Sequence, residues 1–136
     1  MSETTIATGG CLCGGVRYEV RGPLSDVIAC HCSQCRRTAG NFVTATIAAN
    51  ADLRLRAEAT LAWYRSSEAA ERGFCARCGG NLFWRHTTPG TTTTSIAAGT
   101  IDPPTRLRLV RHIFVASKSD YYDIADAAPQ HAGWPQ

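Results

Sequence analysis

The sequence predicts a mainly β domain of short antiparallel strands. Three observations carry this: a two-residue hydrophobic period along most of the chain, frequent Gly and Pro punctuation, and no convincing helical stripe. Val16, Tyr18 and Val20 alternate with Arg17, Glu19 and Arg21, the pattern of a half-buried strand. Val43, Ala45 and Ile47 alternate with Thr44 and Thr46, which puts the apolar three on one face. Leu53 and Leu55 alternate with Arg54 and Arg56, and Leu107 and Leu109 with Arg106 and Arg108. Leu82-Phe83-Trp84 and Ile113-Phe114-Val115 form further apolar clusters. The Thr run at 91–94 leads into Ser95-Ile96-Ala97-Ala98 and suits a strand with one wet face, since β-branched Thr favours extended backbone. Turns are expected at Gly9-Gly10, Gly14-Gly15, Gly22-Pro23, Gly79-Gly80, Pro89-Gly90 and Pro103-Pro104. The best helical candidate is residues 58–70, although its Trp63-Tyr64 fits a strand equally well.

The 136 residues make a single domain by length, 1–136, with 129–136 read as an irregular tail. Ala supplies 20 of the apolar residues, so the core is thin and a further crosslink is expected to hold it. The net charge of +3 comes from basic pairs and alternations, not from a run that could track a phosphate backbone, so no nucleic-acid partner is expected. MSETTIATGG has neither a basic n-region nor an apolar h-region, and no apolar stretch approaches bilayer length. The expectation is a cytoplasmic chain with no membrane partner, of unspecified oligomeric state. In a reducing compartment, seven cysteines, an odd number, point to metal before disulfides.

The cysteines fall into three groups: Cys11-x-Cys13, Cys30-x-Cys32-x-x-Cys35 and Cys75-x-x-Cys78. The first and third resemble zinc knuckles, with glycines that let backbone amides approach the sulfurs. Together they complete a four-cysteine structural zinc site, closed to chemistry. In an extended CHC segment Cys30 and Cys32 point one way and His31 the other, and a turn through Ser33-Gln34 brings Cys35 round. Three thiolates with an open fourth position is the arrangement of a catalytic zinc site. The competing reading is a redox-sensitive trio that forms a disulfide. His31 as the fourth ligand runs against strand alternation. His86 and His112 read as core or surface histidines, and His131 as a solvated tail residue. Arg36 and Arg37 are either an ordinary exposed pair or, directly after Cys35, cations for the site.

GGCLCGGVRYEV, CHCSQCRRTAGNF, GFCARCGGNLF, SIAAGTIDPP and RHIFVASKSDYYDIADAAPQ together resemble the glutathione-dependent formaldehyde-activating enzyme family, also called the centromere protein V/formaldehyde-activating domain. The resemblance implies a β-tent fold of short antiparallel sheets. It also implies a structural zinc at Cys11, Cys13, Cys75 and Cys78, and a second zinc associated with Cys30, Cys32 and Cys35. The family activity is condensation of formaldehyde with glutathione to S-hydroxymethylglutathione, formally a carbon–sulfur lyase reaction run backwards. Tyr121-Tyr122 stands where many relatives carry Trp.

The expected function is a zinc-dependent carbon–sulfur lyase or synthase acting on thiol–aldehyde adducts, with two zinc ions per chain. Its expected partners are a small thiol such as glutathione and a small aldehyde. Cys30, Cys32 and Cys35 are the catalytic set, and Gln34, Arg36, Arg37, Asn41 and Phe42 the substrate-binding candidates. One alternative is a non-catalytic carrier of glutathione or another small thiol. A second is a zinc-stapled interaction module, against which the even charge distribution counts.

Overall fold

The computed structural model describes residues 6–135; the reading of residues 1–5, and of Gln136 in the tail, lies outside them. In chain order the strands are β1 (Ala7–Gly10), β2 (Arg17–Val20), β3 (Val27–Cys30), β4 (Val43–Ala49), β5 (Leu53–Ala57), β6 (Leu61–Arg65), β7 (Ala70–Cys75), β8 (Asn81–His86), β9 (Thr93–Ala97) and β10 (Leu109–Ile113). Among the described residues the single α-helix is α1 (Ser33–Ala39). The protein is therefore mainly β. Its strands form two sheets, one ordered β1-β2-β5 and a mixed one ordered β10-β3-β4-β9-β8-β7-β6. The chain divides into two compact units within β4: unit 1 holds the described residues up to Ser25 with Thr46–Arg106, and unit 2 holds Asp26–Ala45 with those from Leu107 onward.

Unit 1 buries the alternating residues of β2 as expected, with Val16 at 0%, Tyr18 at 1% and Val20 at 0% exposure. The Tyr18 ring meets Phe83 edge-on at 5.5 Å, and its hydroxyl lies 2.7 Å from Thr100 Oγ1. Burial pushes the Tyr18 phenol up to about 12. Gly9-Gly10 is not a turn but the end of β1, where a Cβ on Gly9 would sit 2.3 Å from Tyr18 Oη. The glycine is there for close approach, not for a reversal. Residues 58–70 supply no helix: β6 and the start of β7 occupy them, and Trp63 pairs in register with Gly73.

The face assignment of β4 also changes along the strand. Ile47 is 42% exposed while Thr46 is fully buried, its hydroxyl donating to Ser25 O at 2.6 Å. A threonine with a local backbone acceptor can occupy an inward position that hydrophobicity alone gives to isoleucine. Thr94 does the same in β9, donating to Asn50 Oδ1 at 2.6 Å.

In unit 2, β10 runs parallel to β3, and β3 antiparallel to β4. The strand expected through Ile113-Phe114-Val115 stops at Ile113, because Phe114 takes a left-handed backbone (φ 56°). The tail forms no named strand, yet it is held along β10: His112 N donates to Pro129 O, His131 N to His112 O, and Val115 N to His131 O. His131 is accordingly half-buried.

Helix α1 replaces the expected turn after Cys32. Cys32 is its N-cap, with an extended backbone (ψ 160°) and a sulfur that accepts from Cys35 N at 3.3 Å. Gly40 closes it in the left-handed conformation (φ 91°), donating to Arg36 O. Of its seven residues only Cys35 is buried, so no apolar stripe announces it.

Candidate metal centres

The first centre lies wholly in unit 1. Gly14 (φ 80°) and Gly79 (φ 79°) take the left-handed turns that fold the two knuckles back. Cys11, Cys13, Cys75 and Cys78 then place their sulfurs within 4.8 Å of one another. Cys13 Sγ is 3.7 Å from Cys11 Sγ and 3.6 Å from Cys75 Sγ. Four thiolates about 2.3 Å from one tetrahedral cation would be about 3.8 Å apart, so the spacing fits a closed tetrahedral metal site.

Donors surround these sulfurs. Val16 N donates to Cys11 Sγ at 3.3 Å, Cys78 N to Cys75 Sγ at 3.4 Å, and Arg77 Nε to Cys13 Sγ at 3.3 Å. Thr60 Oγ1 lies 3.2 Å from Cys75 Sγ. The Thr60 hydroxyl first, then the Cys78 amide, holds the Cys75 thiol down at about 5 despite its burial. Thr60 was not among the residues singled out from sequence.

The second centre lies wholly in unit 2. Cys30 ends β3, Cys32 caps α1 and Cys35 sits in its first turn. Their three sulfurs are also within 4.8 Å of one another, and no fourth Cys, His, Asp or Glu joins the group among the described residues. None of the seven cysteines is disulfide-bonded. Here the local chemistry is reversed: Cys35 first, then burial, pushes the Cys30 thiol far above its ordinary range. A bound cation would relieve that resistance at Cys30. The donor set fits a thiophilic metal with one position left for another ligand.

His31 lies between two of these cysteines and takes no part in the group. It is fully buried, with Nε2 2.9 Å from His112 Nδ1 and Nδ1 3.2 Å from Tyr122 Oη. Both ring nitrogens are thus engaged elsewhere. Burial first, then the charges of His112 and Lys118, lowers its pKa and keeps the ring neutral at physiological pH. His112 Nε2 reaches Asp126 at 2.9 Å, so this histidine is a satisfied buried residue, as read from sequence. The link from His31 to His112 and Tyr122 was missed. Its signal was present: a histidine turned inward from a strand end needs a buried polar partner.

The other site candidates are spread around α1. Gln34 is exposed in its first turn. Arg36 is half-buried, its Nε donating to Ser117 O at 3.2 Å. Arg37 is exposed and, at ~3.6 residues per turn, lies roughly 200° round the helix from Cys35. Asn41 Oδ1 is buried with no hydrogen-bond partner among the described residues. Phe42 places its ring 4.8 Å from that of His31. His86 is exposed at the end of β8. Among the described residues no helix is long and apolar enough to cross a membrane.

No curated protein matches the chain. A crystal structure of a Rhodobacter sphaeroides protein from a structural genomics programme superposes with a TM-score of 0.59 at 28% identity, covering 71% of this chain and 88% of that one. Residues 6–117 match the family described as glutathione-dependent formaldehyde-activating enzyme, and to that family the chain belongs.

Proposed function

We propose that Cys11, Cys13, Cys75 and Cys78 hold a structural zinc, and that Cys30, Cys32 and Cys35 hold a second zinc with one open position. The protein would then be a carbon–sulfur lyase or synthase acting on thiol–aldehyde adducts, as S-(hydroxymethyl)glutathione synthase does. The observation that carries this reading is the convergence of three thiols while His31, the nearest alternative ligand in sequence, has both ring nitrogens occupied. A zinc ion held there supplies the positive charge that keeps a visiting thiol ionised at neutral pH, where a free thiol with a pKa of about 8.5 is only a few per cent thiolate.

In the reaction, the substrate sulfur attacks the aldehyde carbon, a carbon–sulfur bond forms, and the thiol proton ends on the former carbonyl oxygen. The protein's part is to bind and orient. Cys30, Cys32 and Cys35 leave space for one more sulfur. A fourth thiolate beside three raises the negative charge, so a nearby cation is needed. Arg36 is that cation: Ser117 O fixes its Nε, and its Nη fork is left to pair with a substrate carboxylate. Asn41 Oδ1, a buried acceptor, takes a substrate N–H. Gln34 supplies a donor at the exposed start of α1, and Phe42 an apolar wall. Arg37 belongs to the outer rim. Glutathione fits these groups as the thiol, formaldehyde as the aldehyde, and the reducing cytoplasm as the place where seven thiols persist.

The test follows exchange between labelled formaldehyde, glutathione and their adduct by NMR, with native protein and with Cys32→Ser. Faster exchange with native protein, lost in the variant, is expected. Glutathione binding without faster exchange would assign a carrier instead. Absence of both would leave an interaction module.

A further inference from the structure

Four side chains of unit 2 form a continuous hydrogen-bonded chain that the reaction above does not use. Both oxygens of Asp126 lie near His112 Nε2, at 3.1 and 2.9 Å. His112 Nδ1 is 2.9 Å from His31 Nε2, and His31 Nδ1 is 3.2 Å from Tyr122 Oη. The imidazoles are buried, whereas the Asp126 side chain is 51% exposed. The Ala128 amide donates to Asp126 Oδ1 at 2.9 Å and fixes that carboxylate. Tyr122 and Asp126 both lie beyond residues 6–117, so the family match says nothing of them.

The exposed end sets the first link of the chain. An ionised carboxylate only accepts, so His112 Nε2 carries a proton. The inner links run ring to ring and ring to hydroxyl, each between groups able to donate or accept. All four ring nitrogens of the two histidines are thereby engaged.

What this chain holds is the residue between two cysteines of the second centre. His31 N also donates to Ile113 O at 2.9 Å, and the Phe42 ring lies against its imidazole. Its ring and its amide are therefore both held, the first by His112 and Tyr122 and the second by Ile113. We propose that Asp126, His112 and Tyr122 are positioning residues that lock His31 in one orientation, and so hold Cys30 and Cys32 facing Cys35. They act on the geometry of the cluster and touch no substrate. The inference rests on the proposed second metal site for one of its two readouts only.

The first readout is ring nitrogen NMR on the native protein. A coupling across the hydrogen bond between His31 Nε2 and His112 Nδ1 should be seen; its absence, or a His31 ring that averages between rotamers, would overturn the assignment. The second is Co2+ titration against a chelator, with Cys32→Ser as the blank that lacks the three-cysteine signal. Asp126→Ala should weaken that signal's affinity about tenfold, the low end for partners of metal-site residues, and alter its thiolate-to-metal absorption. Asp126→Asn should restore most of it, because the amide oxygen still accepts from His112 Nε2. Unchanged affinity in Asp126→Ala, or equal loss in both variants, would sink the proposal. Tyr122→Phe removes the hydroxyl at the other end and should act in the same sense as Asp126→Ala, so the question stays open to test if Asp126→Ala folds poorly. Protein inactive on glutathione and formaldehyde that still shows these Co2+ effects would separate this inference from the proposed reaction.

Discussion

Cys75 and Cys30 are both strand-end cysteines, and their surroundings act on them in opposite senses. Around Cys75 the bond to the Thr60 hydroxyl first, then the Cys78 amide, pulls the thiol down to about 5. Around Cys30 the neighbours are other thiols and a buried setting, which push it up. The first cluster joins segments of sequence more than sixty positions apart, and its four sulfurs complete a tetrahedron among themselves. The second is drawn from six consecutive residues and stops at three. Four ligands spanning a long loop suit a permanent crosslink. A local trio with one ligand missing suits a site that admits a visitor. What separates the two clusters is the number of sulfurs and the groups around them.

The largest effect should come from breaking the first cluster. Structural zinc in small domains contributes binding free energy of about 10–16 kcal/mol to folding, and removing one of four ligands forfeits most of it. Cys75→Ser should therefore strip hydrogen-exchange protection from β6, β7 and β8 and abolish cooperative melting of unit 1. A native-like melt would show that the four cysteines are not the crosslink of this thin core.

Packing in unit 1 should show the next effect. A Cβ on Gly9 would lie 2.3 Å from Tyr18 Oη and 2.4 Å from Thr100 O, a backbone atom with no cheap way to retreat. Gly9→Ala should cost about 1–3 kcal/mol, the range for overpacking, read as a lower urea midpoint at unchanged slope. Cys32→Ser should do the reverse of Cys75→Ser. Serine is a preferred N-cap, so α1 keeps its capped end and stability moves by less than about 1 kcal/mol. Zinc per chain should nonetheless fall from about two to about one, with loss of any thiol–aldehyde activity. Equal loss of stability in the two variants would erase the distinction between the clusters.

The difference between clusters was partly legible in the sequence. Spacing alone sorted seven cysteines into four and three, because knuckle geometry is local. The alternation at Val16, Tyr18 and Val20 gave a real buried face, since hydrophobic residues decide it without help. Where polar groups are satisfied inside, the same rule failed: Thr46 is buried and Ile47 exposed because Ser25 offers an acceptor that periodicity does not report. Helix α1 was hidden because it buries only Cys35 and is capped by a cysteine, a residue better known as a ligand. The partners of His31 lie 81 and 91 positions away, a separation at which one sequence carries no pairing signal.

The smallest effect concerns an exposed contact that orders unit 1 without metal. Asp102 receives Arg17 Nη2 at 2.6 Å and the Thr8 hydroxyl at 2.7 Å, with Arg17 and Asp102 side chains 40% and 45% exposed. Arg17 first, then Thr8, holds the Asp102 carboxyl below its ordinary value of 3.8. A folded value lower than the unfolded one adds stability that is complete above the unfolded value and is lost as pH falls through the folded one. From about pH 5 to 8 the contribution is therefore constant, and solvent screening keeps it under about 1 kcal/mol. The difference in stability between native protein and Asp102→Asn should be small, flat across that range and reduced by salt. A difference that slopes with pH there would mean that Asp102 is coupled to a group titrating near neutrality, and would overturn its reading as a screened surface contact.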